Sequence, residues 1–493
     1  MEDSGNENVS GHGTGRLPPD HDEIIRILKK ELVLSLGCTE PAAVAYAAAV
    51  AADHLREACG SGKTGCSGKS GSSGKSDGPE KADSSGKTPE AGEEIRQIVV
   101  KVSKNIFKNV RDVHIPGAGD LCGVKAAAAL GAFFGDSSEK LQAIRIISAE
   151  DTEKCRKFIE SGNVSSEIRE SGKLFDIDVH VFSDGHDAEV RLTDDHTHIS
   201  FVAVDGKIIF GSADDGSIGN EGVMTSSRDE DSPVDYDVLT PGKIFEFVSS
   251  VKIEDVRNLT DAQTEFNMKL SECGLSERYG AEVGRVCADA GSAGTDEAGG
   301  EKPDIRTEVI SKTTAGVDAR MSGCPHPAVI NCGSGNQGIT SSVPVIVYGK
   351  RKGYSDEMIC RGLLMSDLTA ICIRQKCGIL SACCGAVAAG AGAGAGIAYM
   401  EGLDPGKVVS YVLGTLGGMF CDGAKSSCAS KVYAILSVVF LALESQKRNV
   451  GLPYGEGILG PDFERSVENY GKISKEGMKG TDDSIIEIMF SES

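Results

Sequence analysis

Residues 356–444, DEMICRGLLMSDLTAICIRQKCGILSACCGAVAAGAGAGAGIAYMEGLDPGKVVSYVLGTLGGMFCDGAKSSCASKVYAILSVVFLALE, decide the fold. Apolar residues recur there at helical spacing in four runs, which predicts helices over 356–375, 381–401, 405–419 and 428–444. Gly-containing connections separate them, and the small residues around 386–396 give faces on which neighbouring helices can approach closely. A helix start at Thr240-Pro241 marks where this character begins, so the C-terminal half, about 241–493, is expected to be largely all-α.

Upstream of that point the period changes. Residues 95–102 and 143–148, the alternation Phe175/Ile177/Val179/Val181 and then Ala188/Val190/Leu192 predict strands. Residues 199–204 and 207–210 flank Asp205-Gly206, a two-residue hairpin signal. The class is therefore α+β, a mixed α/β N-terminal half with an antiparallel-leaning sheet followed by the helical half. Asp22 can cap a helix carrying Ile24, Ile25, Leu28 and Leu32, and Gly37-Cys38-Thr39-Glu40-Pro41 leads into an Ala-rich helix over 42–55. The expected division is a disordered tail over 1–19, N-terminal helices over 20–58, a flexible low-complexity insertion over 59–93, an α+β domain over 94–240 and a helical catalytic domain over 241–493. The insertion is a Gly/Ser/Lys tract with almost no apolar residues, and its Cys59 and Cys66 are expected to be incidental. Residues 211–236 and 289–303 read as surface loops, and the N-terminal helices are free to pack onto the helical half.

The chain has 493 residues and a net charge of −22, which would repel phosphate backbones and anionic headgroups. No nucleic-acid or membrane partner is expected. The first residues, MEDSGNENVSGHG, lack the basic and apolar regions of a secretory signal, and the apolar window 432–443 is too short to span a bilayer, so a soluble cytoplasmic protein is expected. The 16 cysteines fall short of disulfide-scaffold density and cluster between Cys273 and Cys428, which in a reducing compartment points to metal binding or thiol chemistry.

Cys421 and Cys428 are seven apart, so an unbroken helix would separate them by roughly 10 Å along its axis. Gly423 allows a bent turn that brings both sulfurs together. The 380–384 stretch adds a third thiol, and three cysteines fit a [4Fe–4S] cluster with one iron left open. A structural Cys₃His zinc site is the chemical rival, because thiolates suit both metals; it requires a nearby histidine, and the helical half contains only His326. Cys38 precedes the Pro41 helix, where the positive helix end lowers a thiol pKa. Gly333-Ser334-Gly335-Asn336-Gln337-Gly338 matches GxGxxG without a Rossmann context, and suits an anion nest to which Asn331, Asn336 and Gln337 add donors. His196 and His198 read as structural residues.

Together GCTEP (37–41), the KNxxKN…IPGxG segment (104–119), DARM (318–321), NCGSGNQGI (331–339), LSACC (380–384) and CDGAKSSCASK (421–431) resemble the L-cysteine desulfidase family, related to the iron–sulfur L-serine dehydratases. The resemblance runs from about residue 20 to 490. It implies a serine dehydratase alpha-chain-like fold and a [4Fe–4S] enzyme that breaks L-cysteine down to pyruvate, ammonia and hydrogen sulfide without pyridoxal phosphate. By position it makes Cys384, Cys421 and Cys428 the cluster ligands, with Cys383 the neighbour to be told apart from Cys384, and Cys38 the base at the substrate α-carbon. Gly333, Ser334, Gly335, Asn336 and Gln337 are the candidates for the substrate carboxylate, with Lys425 and Arg320 as charged alternatives. Cys324 and Cys332 depart from the family pattern. The related dehydratases end in a cysteine that reaches the cluster, whereas this sequence ends in MFSES, which leaves Cys38 as the candidate fourth ligand before substrate binds. L-serine dehydration and a metal-binding cysteine or redox sensor without turnover are the competing functions. The expected partner is a small amino acid, and a homo-oligomer is compatible with such a chain.

Overall fold

The computed structural model describes residues 19–61, 95–144, 147–212, 233–292, 304–378 and 381–491. Its strands are β1 (Leu34–Leu36), β2 (Gln97–Val102), β3 (Val164–Ile168), β4 (Asp176–Phe182), β5 (Asp187–Thr193), β6 (Ile199–Val204), β7 (Lys207–Gly211) and β8 (Pro327–Val329). Six of them form one sheet in the order β3-β2-β4-β5-β6-β7, antiparallel throughout except for the β2–β3 pair. The alternation read from the sequence sets its register: Ile98, Val100 and Val102 on β2 face Val181, Val179 and Ile177 on β4. These side chains share one face, which the helices Thr39–Ser61 and Gly123–Phe134 cover to make an Ala-rich core. Asp205 and Gly206, at φ 50° and 72°, make the expected tight hairpin between β6 and β7.

The helical half packs around the Gly385–Met400 helix. A Cβ on Gly392 or Gly396 would stand 2.4 Å from the carbonyl oxygens of Ser366 and Gly362 in the Asp356–Cys377 helix. On its other side, Gly390 and Gly394 lie against Ile435 of the Ser427–Lys447 helix and Val408 of the Pro405–Leu416 helix. Alternating glycines thus admit helices on two sides at once. The Ser427–Lys447 helix is longer than its apolar window indicated, and by length and composition alone it could cross a membrane. Here it packs against the helices Ile305–Met321, Gly385–Met400 and Pro405–Leu416 as part of the core.

The two cores meet at the N-terminal segment. Ile24, Ile27 and Leu28 of the Pro19–Glu31 helix belong to the helical core, whereas Ala43, Ala47 and Ala51 belong to the sheet core. Between them β1 pairs with β8 in an antiparallel two-stranded ribbon. Cys38 follows at this crossing.

Four expectations are corrected. The first helix starts at Pro19, which puts Asp22 inside its first turn rather than at its cap. The described residues of 143–148 form no strand, because Ser148 and Asp151 form a reciprocal capping box that opens the Ala149–Glu160 helix instead. The helix expected from 381 starts at Gly385, because residues 382–384 are extended and pair with 419–421. The helix that begins at Thr39 runs to Ser61, which draws Cys59 out of the insertion and onto the sheet core. The edge strand β3, VSSEI, is too polar to have been recognised by alternation. The expectations for the tail, for 62–93 with Cys66, and for most of the loops 211–236 and 289–303 fall outside the described residues.

Candidate active site

Where the two halves meet, a cleft encloses about 860 Å³ including its mouth. Residues from the first turns of four helices reach it: Glu40 after Cys38, Asn336 and Gln337 after Ser334, Gly385 and Ala386 after Cys384, and Cys428 at the start of Ser427–Lys447. Each helix end carries a partial positive charge of roughly half an elementary unit, so the cleft suits thiolates and carboxylates.

The Cys384 wall is built by backbone pairing. The Cys384 N–H donates to the Met419 carbonyl at 3.0 Å and the Cys421 N–H to the Ala382 carbonyl at 2.6 Å, with Cys383 opposite Phe420. Side chains alternate across such a pair, so Cys384 and Cys421 share one face and the Cys383 side chain takes the other, although Cys383 also lines the cleft. The Cys383 sulfur accordingly lies 3.1 Å from Met478 Sδ and beside Tyr470.

Cys428 reaches the same wall because residues 421–426 are not helical. Gly423 holds φ 95°, and a Cβ there would stand 2.5 Å from the Lys108 carbonyl oxygen. The buried Lys108 ammonium donates to the Cys421 carbonyl at 3.3 Å and pairs with Asp482, which pins this turn to the C-terminal helix. Burial pushes the Cys384 thiol up to about 12, with Cys421 adding to it, and burial also raises Cys428.

Cys38 lies across the cleft beside Met321 Sδ, at 4.0 Å, with the Arg320 guanidinium within hydrogen-bonding reach. The depressed pKa expected from its helix end is corrected: burial pushes this thiol up to about 11, against the opposing pull of Arg320. Desolvation outweighs the dipole in a fully buried site. Arg320 donates to Asn336 Oδ1 at 2.9 Å while its Nε is buried without a partner.

The Gly-rich run follows β8, which pairs only with β1 among the described residues, so it belongs to no Rossmann unit. Cys332 and Gly333, at φ 49° and 69°, form a tight turn closed in both directions between Asn331 and Ser334 at 3.2 and 3.1 Å. Left-handed backbone at a non-glycine costs roughly 1–2 kcal/mol. The Thr39 hydroxyl, donating to the Gly333 carbonyl at 2.6 Å, helps to hold it. Ser334 caps the Gly335–Lys352 helix without a side-chain hydrogen bond, leaving that first turn to an incoming group.

The structure therefore brings Cys38, Cys384, Cys421, Cys428, Arg320, Gly333, Ser334, Asn336 and Gln337 to one cleft. It leaves out three candidates, one of them Asn331, which is fully buried and donates its amide to Asp367 at 3.0 Å. Gly335 packs its backbone against Arg320, and Lys425 pairs with Asp422 on the half-exposed side of the turn. Two cleft residues had little sequence signal. Arg374 lies in the last turn of the Asp356–Cys377 helix with Nε buried and unpartnered, and His196, read as structural, stands against Gly333 with Nε2 unpartnered. Gln337 Oε1 is a further buried atom without a partner, so four residues of this cleft each carry an unpartnered polar atom.

The sequence pattern of the family described as serine dehydratase alpha chain matches residues 138–487, which contain all three wall thiols but not Cys38. The chain is 34% identical to a UPF0597 protein of Desulfitobacterium hafniense (strain Y51), covering 95% of this chain and 96% of that one. It is 33% identical to a UPF0597 protein of Lachnoclostridium phytofermentans, covering 96% and 100%, and 34% identical to one of Finegoldia magna, covering 94% and 98%.

Proposed function

The chain belongs to the serine dehydratase alpha-chain family, and from that membership and the thiol-lined cleft we propose that it is a [4Fe–4S]-dependent carbon–sulfur lyase. We assign it as an L-cysteine desulfidase that yields pyruvate, ammonia and hydrogen sulfide without pyridoxal phosphate, working in the reducing cytoplasm. The observation that carries this reading is the convergence of Cys384, Cys421 and Cys428 on one cleft that Cys38 and Arg320 also line.

The residues fit the cluster. Cys384, Cys421 and Cys428 lie near enough for their charges to act on one another, and three thiolates suit an iron–sulfur cluster with one iron left open. These three would hold the cluster, which when bound supplies a Lewis-acidic iron to the leaving sulfur.

The remaining work falls to side chains. Arg320 and the first-turn N–H groups of the Gly335–Lys352 helix bind the substrate carboxylate, and Asn336, tied to Arg320, fixes its orientation. Burial holds the Cys38 thiol up at about 11 against the pull of Arg320, so Cys38 takes the α-proton only after its own proton has left. The electron pair left on the α-carbon forms the α–β double bond as the β-carbon–sulfur bond breaks. The released aminoacrylate tautomerises and hydrolyses in water to pyruvate and ammonia.

L-Serine dehydration is the second reading, favoured by the description of the matching family. An absorption spectrum of anaerobically purified protein tests the cofactor shared by both readings. Broad visible absorption that bleaches in air is expected. A peak released by hydroxylamine would indicate pyridoxal phosphate and overturn the assignment.

A further inference from the structure

A second set of thiols lies outside the cleft. Among the described residues, Cys273, Cys324 and His326 are the one group of three cysteine, histidine or acidic side chains whose donor atoms all lie within 4.8 Å of one another. We propose that they bind one zinc ion, separate from the cluster site and taken up independently of it.

Each donor is placed by an element that is fixed for its own reasons. The Ile305–Met321 helix ends at Gly323, φ 79°, with Gly323 N–H donating to the Arg320 carbonyl at 3.3 Å and Cys324 N–H to that of Ala319 at 3.0 Å. This double closure turns the chain sharply and fixes Cys324 just past the helix end. In Cys324-Pro325-His326 the proline stiffens the link, and the His326 backbone N–H is directed at the Cys324 sulfur. His326 leads into β8, whose Val329 is gripped on both backbone groups by the Asn267 side chain, at 2.9 and 3.2 Å. Cys273 lies on the Met268–Ser276 helix that follows Asn267, and its neighbour Gly274 packs directly on the Ala315 backbone.

Two thiolates and an imidazole suit zinc over harder cations, and three protein donors leave a fourth tetrahedral position for solvent. The Tyr279 hydroxyl stands at the Cys324 sulfur as an outer partner. Both thiols are buried at the site and His326 is partly exposed, so an ion can enter from the His326 side. Bound there, zinc would clip the Met268–Ser276 helix to the segment between Arg320 and the Asn331–Ser334 turn.

The test is zinc uptake by the full chain. Protein isolated anaerobically and equilibrated with micromolar zinc is expected to hold one zinc per chain. Its zinc-edge absorption should fit two sulfur neighbours with nitrogen or oxygen completing the shell. Cys324→Ser and His326→Gln should each weaken zinc binding at least tenfold while leaving iron content unchanged. A shell of three or four sulfurs would assign the zinc to the cleft thiols and overturn the proposal. So would uptake that survives Cys324→Ser undiminished, or no uptake at all. The wild-type edge measurement stands whether or not the cleft carries iron and does not depend on the variants folding.

Discussion

Cys383 and Cys384 are adjacent in sequence and opposed in space. Pairing of residues 382–384 with 419–421 turns Cys384 toward Cys421 and Cys383 toward Met478. Hydroxyl is a poor replacement for thiolate on iron, so Cys384→Ser, like Cys421→Ser or Cys428→Ser, should lose iron and turnover together. Cys383→Ser should keep its iron, and iron analysis of the two variants side by side checks the alternation. Cys38 makes the complementary case. As the base, its replacement by Ala should leave iron content intact and lower turnover by about 10²–10⁴. Loss of iron in Cys38→Ala would make it a ligand, and near wild-type turnover would move the base to another residue, with His196 the next to test. A third expectation concerns Asp367, which accepts from Asn331 at 3.0 Å and Ser341 at 2.9 Å behind the Gly-rich turn. Burial pushes its carboxyl up to about 6. The unfolded value is about 3.9, so the folded chain holds the extra proton between the two. The stability this group contributes is present below about pH 4 and is lost as pH rises through about 6. Asp367→Asn keeps the acceptor oxygen and removes the charge. Its unfolding free energy, measured in denaturant from pH 4 to 7, should lack that fall, and a curve parallel to wild type would contradict the assignment.

At the scale of elements, what could be read from the sequence was what local periodicity determines. The β4 and β5 alternations and the Asp205-Gly206 hairpin carry their own pattern, and so do the long helices that begin at Asp356, Pro405 and Ser427. The wall thiols were legible because Gly423 advertises a break in a helix. What could not be read depended on partners far away in sequence. Residues 381–384 look helical, and only pairing with 419–421 draws them out extended. The Cys38 pKa follows from burial between two halves, which the helix-end argument does not contain. Arg374 and His196 become cleft residues only when their elements meet. The Gly385–Met400 helix offers the test at this scale. Because Gly392 packs on the Ser366 carbonyl, Gly392→Val must push two helices apart, at a cost of roughly 1–3 kcal/mol by overpacking. A lowered thermal midpoint should accompany it, and an unchanged midpoint would mean that the close packing of these helices does not contribute to stability.

Across the whole molecule, an acidic chain of net charge −22 buries three cations at one cleft, one of them, Lys108, paired with Asp482. Arg320, Arg374 and Lys108 are all buried and all reach the cleft where the two cores join. Four helix ends add to that potential, which favours an anionic cofactor and a substrate carboxylate in the same space. On the proposed function, activity depends on the joined halves and on a thiol-held iron centre acting on a β-thiol. The most direct measurement is sulfide and pyruvate release by anaerobically reconstituted full-length protein, with L-cysteine and L-serine assayed side by side. The account predicts equimolar sulfide and pyruvate from L-cysteine, with a kcat/KM for cysteine well above that for serine. Pyruvate from L-serine alone would contradict it.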